Sequence, residues 1–315
     1  MFGHVDVIDG PERFDGGLDT YVYGIRLAGQ LPRAWTEPLV LRVYPHPEQA
    51  EKAKREAAVQ QFAADRGIPA PRPLLVEPLW QPYGLPFMLM ERATGSPLIE
   101  RFKNPLAIRG AIRSMVLLQV RLHRVPVDRC PLPYESPLVD RLLDEPRTRV
   151  ECFRPPGSPE RLHWLQENAS SVRDEEPALL HNDFHPLNLL ANGERLTLLD
   201  WSDAAIGDRH CDVARTLAVS RLAPPLESNA LLRTVLSILS RYIVPAYEAE
   251  YRKRLPLESR RLRYWQALHA FVAWLQIAVM RSAGEDAIGA RPGTLDRIPG
   301  SLEPALRSYF DERAF

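Results

Sequence analysis

Leu179-Leu180-His181-Asn182-Asp183-Phe184-His185-Pro186-Leu187-Asn188-Leu189-Leu190-Ala191-Asn192-Gly193-Glu194-Arg195-Leu196-Thr197-Leu198-Leu199-Asp200-Trp201 is the stretch on which the fold turns. It sets polar residues at the ends of short apolar runs. Leu179-Leu180 leads into His181-Asn182-Asp183, Leu189-Leu190-Ala191 follows Asn188, and Leu196 to Leu199 runs into Asp200. Asn192-Gly193 lies between the last two runs, and Asn-Gly flanked by apolar residues is a strong hairpin signal. With a loop spanning Asn192 to Arg195, Ala191 pairs with Leu196. Asn188 and Asp200 then meet at the open end of the hairpin, which Asp183 enters from the preceding loop.

Two carboxylates and an amide oxygen converging in this way suit a hard cation that bridges phosphate oxygens. The first Asp is left to accept a proton from an attacking hydroxyl. The separation of Asp183 and Asn188 is that of the Asp and Asn in the kinase catalytic loop, and Asp200 stands where those folds keep a metal-binding Asp. The run H-N-D-F-H-P-L-N-L-L followed by L-D-W resembles the aminoglycoside phosphotransferase and choline kinase-like family. His-Gly-Asp is commoner there; Asn182 stands in place of the glycine, at a position expected to tolerate it. The resemblance implies an α+β, protein-kinase-like fold with a small β-rich N-terminal lobe (1–93) and a larger, mainly helical C-terminal lobe (94–315). It also implies ATP or GTP as phosphate donor, Mg²⁺, Asp183 as catalytic base, Asn188 and Asp200 as metal ligands, and a hydroxylated small molecule as acceptor.

Other readings of the same residues stand beside this one. His181, Asp183 and His185 alternate, so on a strand they would share a face and hold zinc or iron. The remaining histidines are scattered singly and supply no further cluster. A polar turn between core strands accounts for any one of the four residues alone. A protein kinase is the nearest rival enzyme, but only eleven residues separate Asp200 from Asp212, which leaves no room for an activation segment. A nucleotide-binding protein that no longer transfers phosphate is the reading from a different class.

Composition bounds the rest. The 315 residues are enough for two lobes, and 40 basic against 40 acidic side chains give no net charge, which argues against an electrostatic nucleic-acid binder. The three cysteines show no Cys-x-x-Cys spacing, so neither a disulfide framework nor a zinc ribbon is indicated. The N-terminus lacks the basic-then-apolar pattern of a secretory signal, and the most apolar stretch, Ala267 to Met280, is too short to span a bilayer. These features point to a cytoplasmic protein without membrane or nucleic-acid partners. Nothing in the sequence selects an oligomeric state.

Taken in order, Phe14 to Tyr21 holds the pair Gly16-Gly17 ahead of β-prone residues, the kind of turn that lets backbone N–H groups approach phosphates. Leu39 to Tyr44 reads as a strand with Val40, Arg42 and Tyr44 on one face. In the family this strand carries a cation that touches the nucleotide phosphates and pairs with a Glu on the next helix. Arg42 holds that position, where protein kinases use Lys, and only four lysines occur in the chain. A helix is expected from Pro47 to Arg66, with Gly67 as its cap and Glu56 at the border of its buried stripe. Pro86 to Met90 reads as a strand leading, by the resemblance, into an interlobe hinge where backbone groups of Met90, Glu91 and Arg92 meet the adenine. Further helices are expected at Ala107 to His123, from Asp208, and at Leu231 to Tyr247, Arg261 to Met280 and Ser301 to Asp311. The proline-rich segment from Pro126 to Pro159 is expected to be irregular. His123 and Asp212 are assigned structural roles, Asp212 as a brace for the catalytic loop. The arginines around 252–263 are read as a solvated helix end and loop.

Overall fold

The computed structural model describes residues 5–14, 20–81, 83–173, 176–227, 229–290 and 292–315. The expected glycine turn at Gly16 and Gly17 lies outside them. The chain divides into two compact units, one made of Met1–Leu98, Asp128–Leu132 and Leu187–Ala204, the other of Ile99–Val127, Pro133–Pro186 and Ala205–Phe315.

The first unit opens with β1 (Val5–Phe14), β2 (Tyr21–Gly29), the single turn α1 (Arg33–Thr36) and β3 (Leu39–Val43). Helix α2 (Ala50–Asp65), β4 (Pro73–Trp80), β5 (Leu85–Glu91) and the short β6 (Ser96–Pro97) follow. Strands β1 to β5 form one antiparallel sheet in the order β1-β2-β3-β5-β4. Leu27, Leu39 and Leu89 form one apolar cluster, while Tyr44 and Met88 pack with Ala53 and Ala57 of α2 in another. Small residues at Ala53, Ala57 and Ala63 are fully or nearly buried, and Glu56 and Gln60 are buried on the same stripe. Glu56 is thus inside the helix contact rather than at its border, at 1% exposure.

The second unit begins with α3 (Pro105–His123), whose first turn is capped by Asn104 accepting the Leu106 N–H at 3.1 Å. Helix α4 (Leu138–Phe153) occupies about half of the segment expected to be irregular, and α5 (Ser158–Asn168) starts at its end. Pro146 lies inside α4, yet Val139, Leu143, Pro146 and Val150 are all buried. Their 4-3-4 spacing is a helical stripe, and its burial outweighs the hydrogen bond that Pro146 cannot make. Strand β7 (Ala178–Leu180) ends at His181-Asn182-Asp183.

The chain then returns to the first unit for the hairpin β8 (Leu189–Asn192) and β9 (Arg195–Leu198), and β6 pairs with β8. Ala191 pairs with Leu196 as expected, but Asn192 also pairs with Arg195, so the loop shrinks to Gly193-Glu194. Gly193 takes φ +56° at the first central position, which a primed turn demands, while the Asn192 side chain donates to Thr94 Oγ1 at 3.1 Å. A Cβ at Gly95 would fall 2.6 Å from Ala191 O, so the β6–β8 approach requires glycine there.

In the second unit β10 (Ala205–Gly207) pairs with β7, and α6 (Arg209–Leu222), α7 (Ala230–Arg252), α8 (Ser259–Ala283) and α9 (Leu302–Ala314) complete the chain. Trp265, Phe271 and Trp274 of α8 are buried. Asp208 caps α6 and accepts from Trp265 Nε1 at 2.8 Å and Arg261 Nε at 3.0 Å. Arg261 is therefore a buried partner of Asp208, not part of a solvated basic run.

Candidate active site

In the first unit, Arg42, Glu56 and Asp200 come together from β3, α2 and the residues after β9. Arg42 Nη1 lies 2.8 Å from Glu56 Oε1, and Nη2 lies 2.9 Å from Asp200 Oδ1. Tyr44, on the same strand face as Arg42, donates its hydroxyl to Glu56 Oε2 at 2.7 Å. Burial alone disfavours the Arg42 charge, but the Glu56 and Asp200 carboxylates outweigh it and hold the guanidinium above its ordinary pKa. Burial raises the Glu56 carboxyl, against the pull of Arg42, and raises the Tyr44 hydroxyl too, with the Glu56 charge adding to it.

Asp200 takes φ +61°, a left-handed conformation uncommon for a residue with a side chain. The ladder holds the hairpin closed one step beyond β9, because the Leu199 N–H donates to Asn188 O at 2.9 Å. Asn188 and Asp200 therefore belong to the same hairpin end. Their donors are an amide oxygen and a carboxylate, and the Asp200 side chain is 35% exposed while Arg42 fixes one of its oxygens. A hard cation such as Mg²⁺, which takes one or two protein oxygens and fills its remaining positions with water and phosphate, suits this donor set.

Glu91 N–H donates to Arg72 O at 3.0 Å and Arg92 N–H to Pro38 O at 3.1 Å. These two amides are spent on the sheet. Arg92 also pairs through its side chain with Glu12 at 3.2 Å.

In the second unit, the loop carrying Asp183 is fastened to α6 at both sides. The Asn182 N–H donates to Asp212 Oδ1 at 2.6 Å, and the Thr216 hydroxyl donates to Phe184 O at 2.8 Å. Asn182 takes φ +59°, which explains why glycine or asparagine suits this position. Asp212 is completely buried and also bonds His123 Nε2 at 2.8 Å and the Gln119 amide at 3.1 Å. His123 Nδ1 reaches Tyr251 Oη at 2.6 Å, and Tyr247 donates to Gln119 Oε1 at 2.7 Å. Burial works against the Asp212 charge, and the His123 hydrogen bond more than offsets it, leaving the carboxyl below its ordinary range.

Asp183 itself accepts from His185 Nε2 at 3.1 Å and from Arg215 Nη2 at 3.2 Å. Burial opposes its ionisation, but the His185 hydrogen bond and the charges of His185 and Arg215 hold it well below the usual carboxylate range. His181 is buried with its ring edge-on to Phe184, and among the described residues no three His, Cys, Asp or Glu side chains gather as a metal cage. The zinc or iron reading of His181, Asp183 and His185 has no such group to rest on. Tyr44, Gln119, Arg215, Thr216, Tyr247 and Tyr251 were not singled out as site residues from sequence. Arg215 and Thr216 were within reach of it, lying one helical turn beyond Asp212 on the same stripe.

The profile of the phosphotransferase enzyme family matches residues 12–250. No curated protein sequence matches the chain. Among solved structures, a candidate aminoglycoside phosphotransferase from Ralstonia eutropha JMP134 superposes with a TM-score of 0.67 at 17% identity, covering 100% of this chain and 93% of that one. A thermostable mutant of aminoglycoside phosphotransferase APH(4)-Ia, in ternary complex with ADP and hygromycin B, gives 0.65 at 16% identity, covering 99% and 95%. The amicoumacin kinase hAmiN, in complex with AMP-PNP, Ca²⁺ and Ami, gives 0.59 at 16% identity, covering 96% and 88%. The protein-kinase-like α+β fold expected from the sequence is the fold these structures share with it.

Proposed function

The chain belongs to the phosphotransferase enzyme family, and we propose that it transfers the γ-phosphate of ATP to a hydroxyl of a small molecule, with Asp183 as the catalytic base. What carries the reading most is Arg42 held between Glu56 and Asp200, three residues assigned to one site from sequence and found ion-paired. Solved relatives of the same fold hold ADP or AMP-PNP, one of them with Ca²⁺, which supports a nucleotide donor and a divalent cation.

In this proposal Asn188 and Asp200 would hold Mg²⁺, which would supply positive charge to the nucleotide phosphates. Arg42, oriented by Glu56 and Tyr44, contacts the nucleotide phosphates from the sheet side. At the end of β5 the N–H groups of Glu91 and Arg92 serve the sheet, so the adenine edge meets the carbonyl of Glu91 and the N–H of Ala93, next to Met90. Asp183 orients the acceptor hydroxyl and takes its proton as the acceptor oxygen bonds to the γ-phosphorus and the bond to the β-phosphate oxygen breaks. Asp212, His123 and Gln119 do not touch the reacting atoms; they fix the loop on which Asp183 sits. Residues 1–93 serve the nucleotide and residues 94–315 the acceptor and the chemistry. In this proposal the acceptor is an aminoglycoside-like molecule, an amino alcohol or a sugar, and the reaction is cytoplasmic; among the described residues no helix is long and apolar enough to cross a membrane.

A phosphorylation screen over hydroxylated metabolites and antibiotics, with ATP and with GTP, tests the proposal. Mg²⁺-dependent transfer to at least one acceptor is expected. Tight nucleotide binding with no transfer to any acceptor would favour a non-catalytic nucleotide-binding protein.

A further inference from the structure

We infer that Arg215 recognises the acceptor, and that the acceptor carries an anionic group, a carboxylate or a phosphate ester, close to the hydroxyl that receives phosphate. The inference rests on the reading of Asp183 as the base. Arg215 projects from α6 onto that base, with Nη2 at 3.2 Å from Asp183 Oδ1. Its side chain is 31% exposed, and among the described residues Asp183 is its one hydrogen-bonded or ion-paired partner. A guanidinium has five N–H donors in a rigid fork, so one contact to the base leaves a planar set of donors for a second anion. Arginine forks pair bidentately with carboxylate and phosphate oxygens.

The distance follows from the contacts. An acceptor hydroxyl must lie within hydrogen-bond reach of Asp183, and the second anion must lie within reach of a guanidinium that already touches Asp183. The two acceptor groups are then neighbours, a few covalent bonds apart.

Charge selects in the same direction. The side chains acting most strongly on Asp183 are His185, Arg215 and His181, all of basic type. An acceptor bearing several ammonium groups would bring them against the Arg215 guanidinium, which repels them. A hydroxy acid or a sugar phosphate is attracted instead, and Arg215 keeps both the base and the acceptor in place while the hydroxyl loses its proton to Asp183. The arrangement needs no redox partner: one O–P bond forms, one breaks, and the anion on Arg215 is unchanged.

Calorimetric titration of the full chain with malonate and with inorganic phosphate, after AMP-PNP and Mg²⁺ have filled the donor site, reads this directly. At least one anion should bind the parent, Arg215→Gln should weaken it by about tenfold or more, and Arg215→Lys should recover part of the loss. The stronger arm identifies carboxylate or phosphate as the group preferred. Nucleotide affinity should be unchanged in both variants, which separates lost recognition from misfolding. Failure of both anions to bind the parent, or equal binding by Arg215→Gln, overturns the inference. Failure of AMP-PNP to bind would count instead against the phosphotransferase reading, and the same titrations without nucleotide would still report on Arg215. In a transfer assay on glucose, glucosamine, glucuronate and glucose 6-phosphate, preference for glucosamine would overturn the anionic acceptor while leaving the phosphotransferase standing.

Discussion

Arg42 Nη2 lies 2.9 Å from Asp200 Oδ1, so the guanidinium assigned to the nucleotide phosphates also holds the carboxylate assigned to the metal. One side chain thus ties the sheet to the hairpin end within the first unit. Its other nitrogen, on Glu56, is just as close, at 2.8 Å.

Replacing Arg42 by Ala should therefore act twice. ATP affinity should fall by about tenfold or more, since a charge-assisted contact is worth about 1.5 to 3 kcal/mol, while adenosine affinity changes little. Stability should fall by about 3 to 5 kcal/mol, because Glu56 is left buried without its partner. Titration of ATP and adenosine beside urea unfolding checks both. Equal losses for ATP and adenosine would make Arg42 purely structural.

Asp200→Ala should abolish the strengthening of ATP binding by Mg²⁺. Calorimetry with and without the cation reads the difference. A Mg²⁺ dependence equal to that of the parent would remove Asp200 from the metal site.

The left-handed Asn182 gives a graded test on stability. Asn182→Gly should lie within about 1 kcal/mol of the parent, whereas Asn182→Val should cost about 1 to 2 kcal/mol or more, because a β-branched residue resists φ near +60°. Thermal unfolding of the two variants decides it. Indifference to valine would mean the loop adopts another conformation in solution.

His269 on α8 is half-buried, its Nε2 donates to Cys211 O at 2.9 Å, and desolvation together with the Arg215 charge pushes it down to about 4. A base depressed in the folded state binds its proton more readily once unfolded. Stability should accordingly decline as the pH drops from about 6.5 toward 4, by about 3 kcal/mol at most from this group. His269→Gln should flatten that window in a pH series of urea melts. An unchanged slope would assign the acid sensitivity elsewhere. The lowered carboxyls of Asp183, Asp208 and Asp212 act below it, stabilising above about pH 4 and less as pH falls further.

Much of this was legible because local signals and chemistry coincided. The Asn-Gly turn, the apolar runs and the Asp-to-Asn spacing located the hairpin, and strand alternation put Arg42 and Tyr44 on one face. Helix periodicity placed Glu56 at the border of the buried stripe, one step short of the buried position it holds. Less legible were features decided by tertiary packing. Proline content argued for an irregular segment at 126–159, yet burial of Val139, Leu143 and Val150 sustains a helix through Pro146. Arg261 read as solvated because its partner, Asp208, lies far away in sequence. Gln119, Tyr247 and Tyr251 joined the network around Asp212 through helix packing, which no spacing in a single sequence encodes. Asn192 was assigned to the turn, but its side chain has a partner in Thr94 and the ladder extends by one pair.

The central claim is that Asp183 is the base of a phosphoryl transfer. Asp183→Asn keeps the size of the side chain and its hydrogen bonding to His185 while removing the charge, so the decisive measurement is the rate of phosphoryl transfer by this variant, with Mg²⁺ and ATP saturating, to an acceptor found by the screen. Nucleotide and Mg²⁺ binding should be nearly unchanged, and transfer should fall by roughly 10²- to 10⁴-fold, the scale of a lost general base. Transfer at the parental rate by Asp183→Asn would contradict the account.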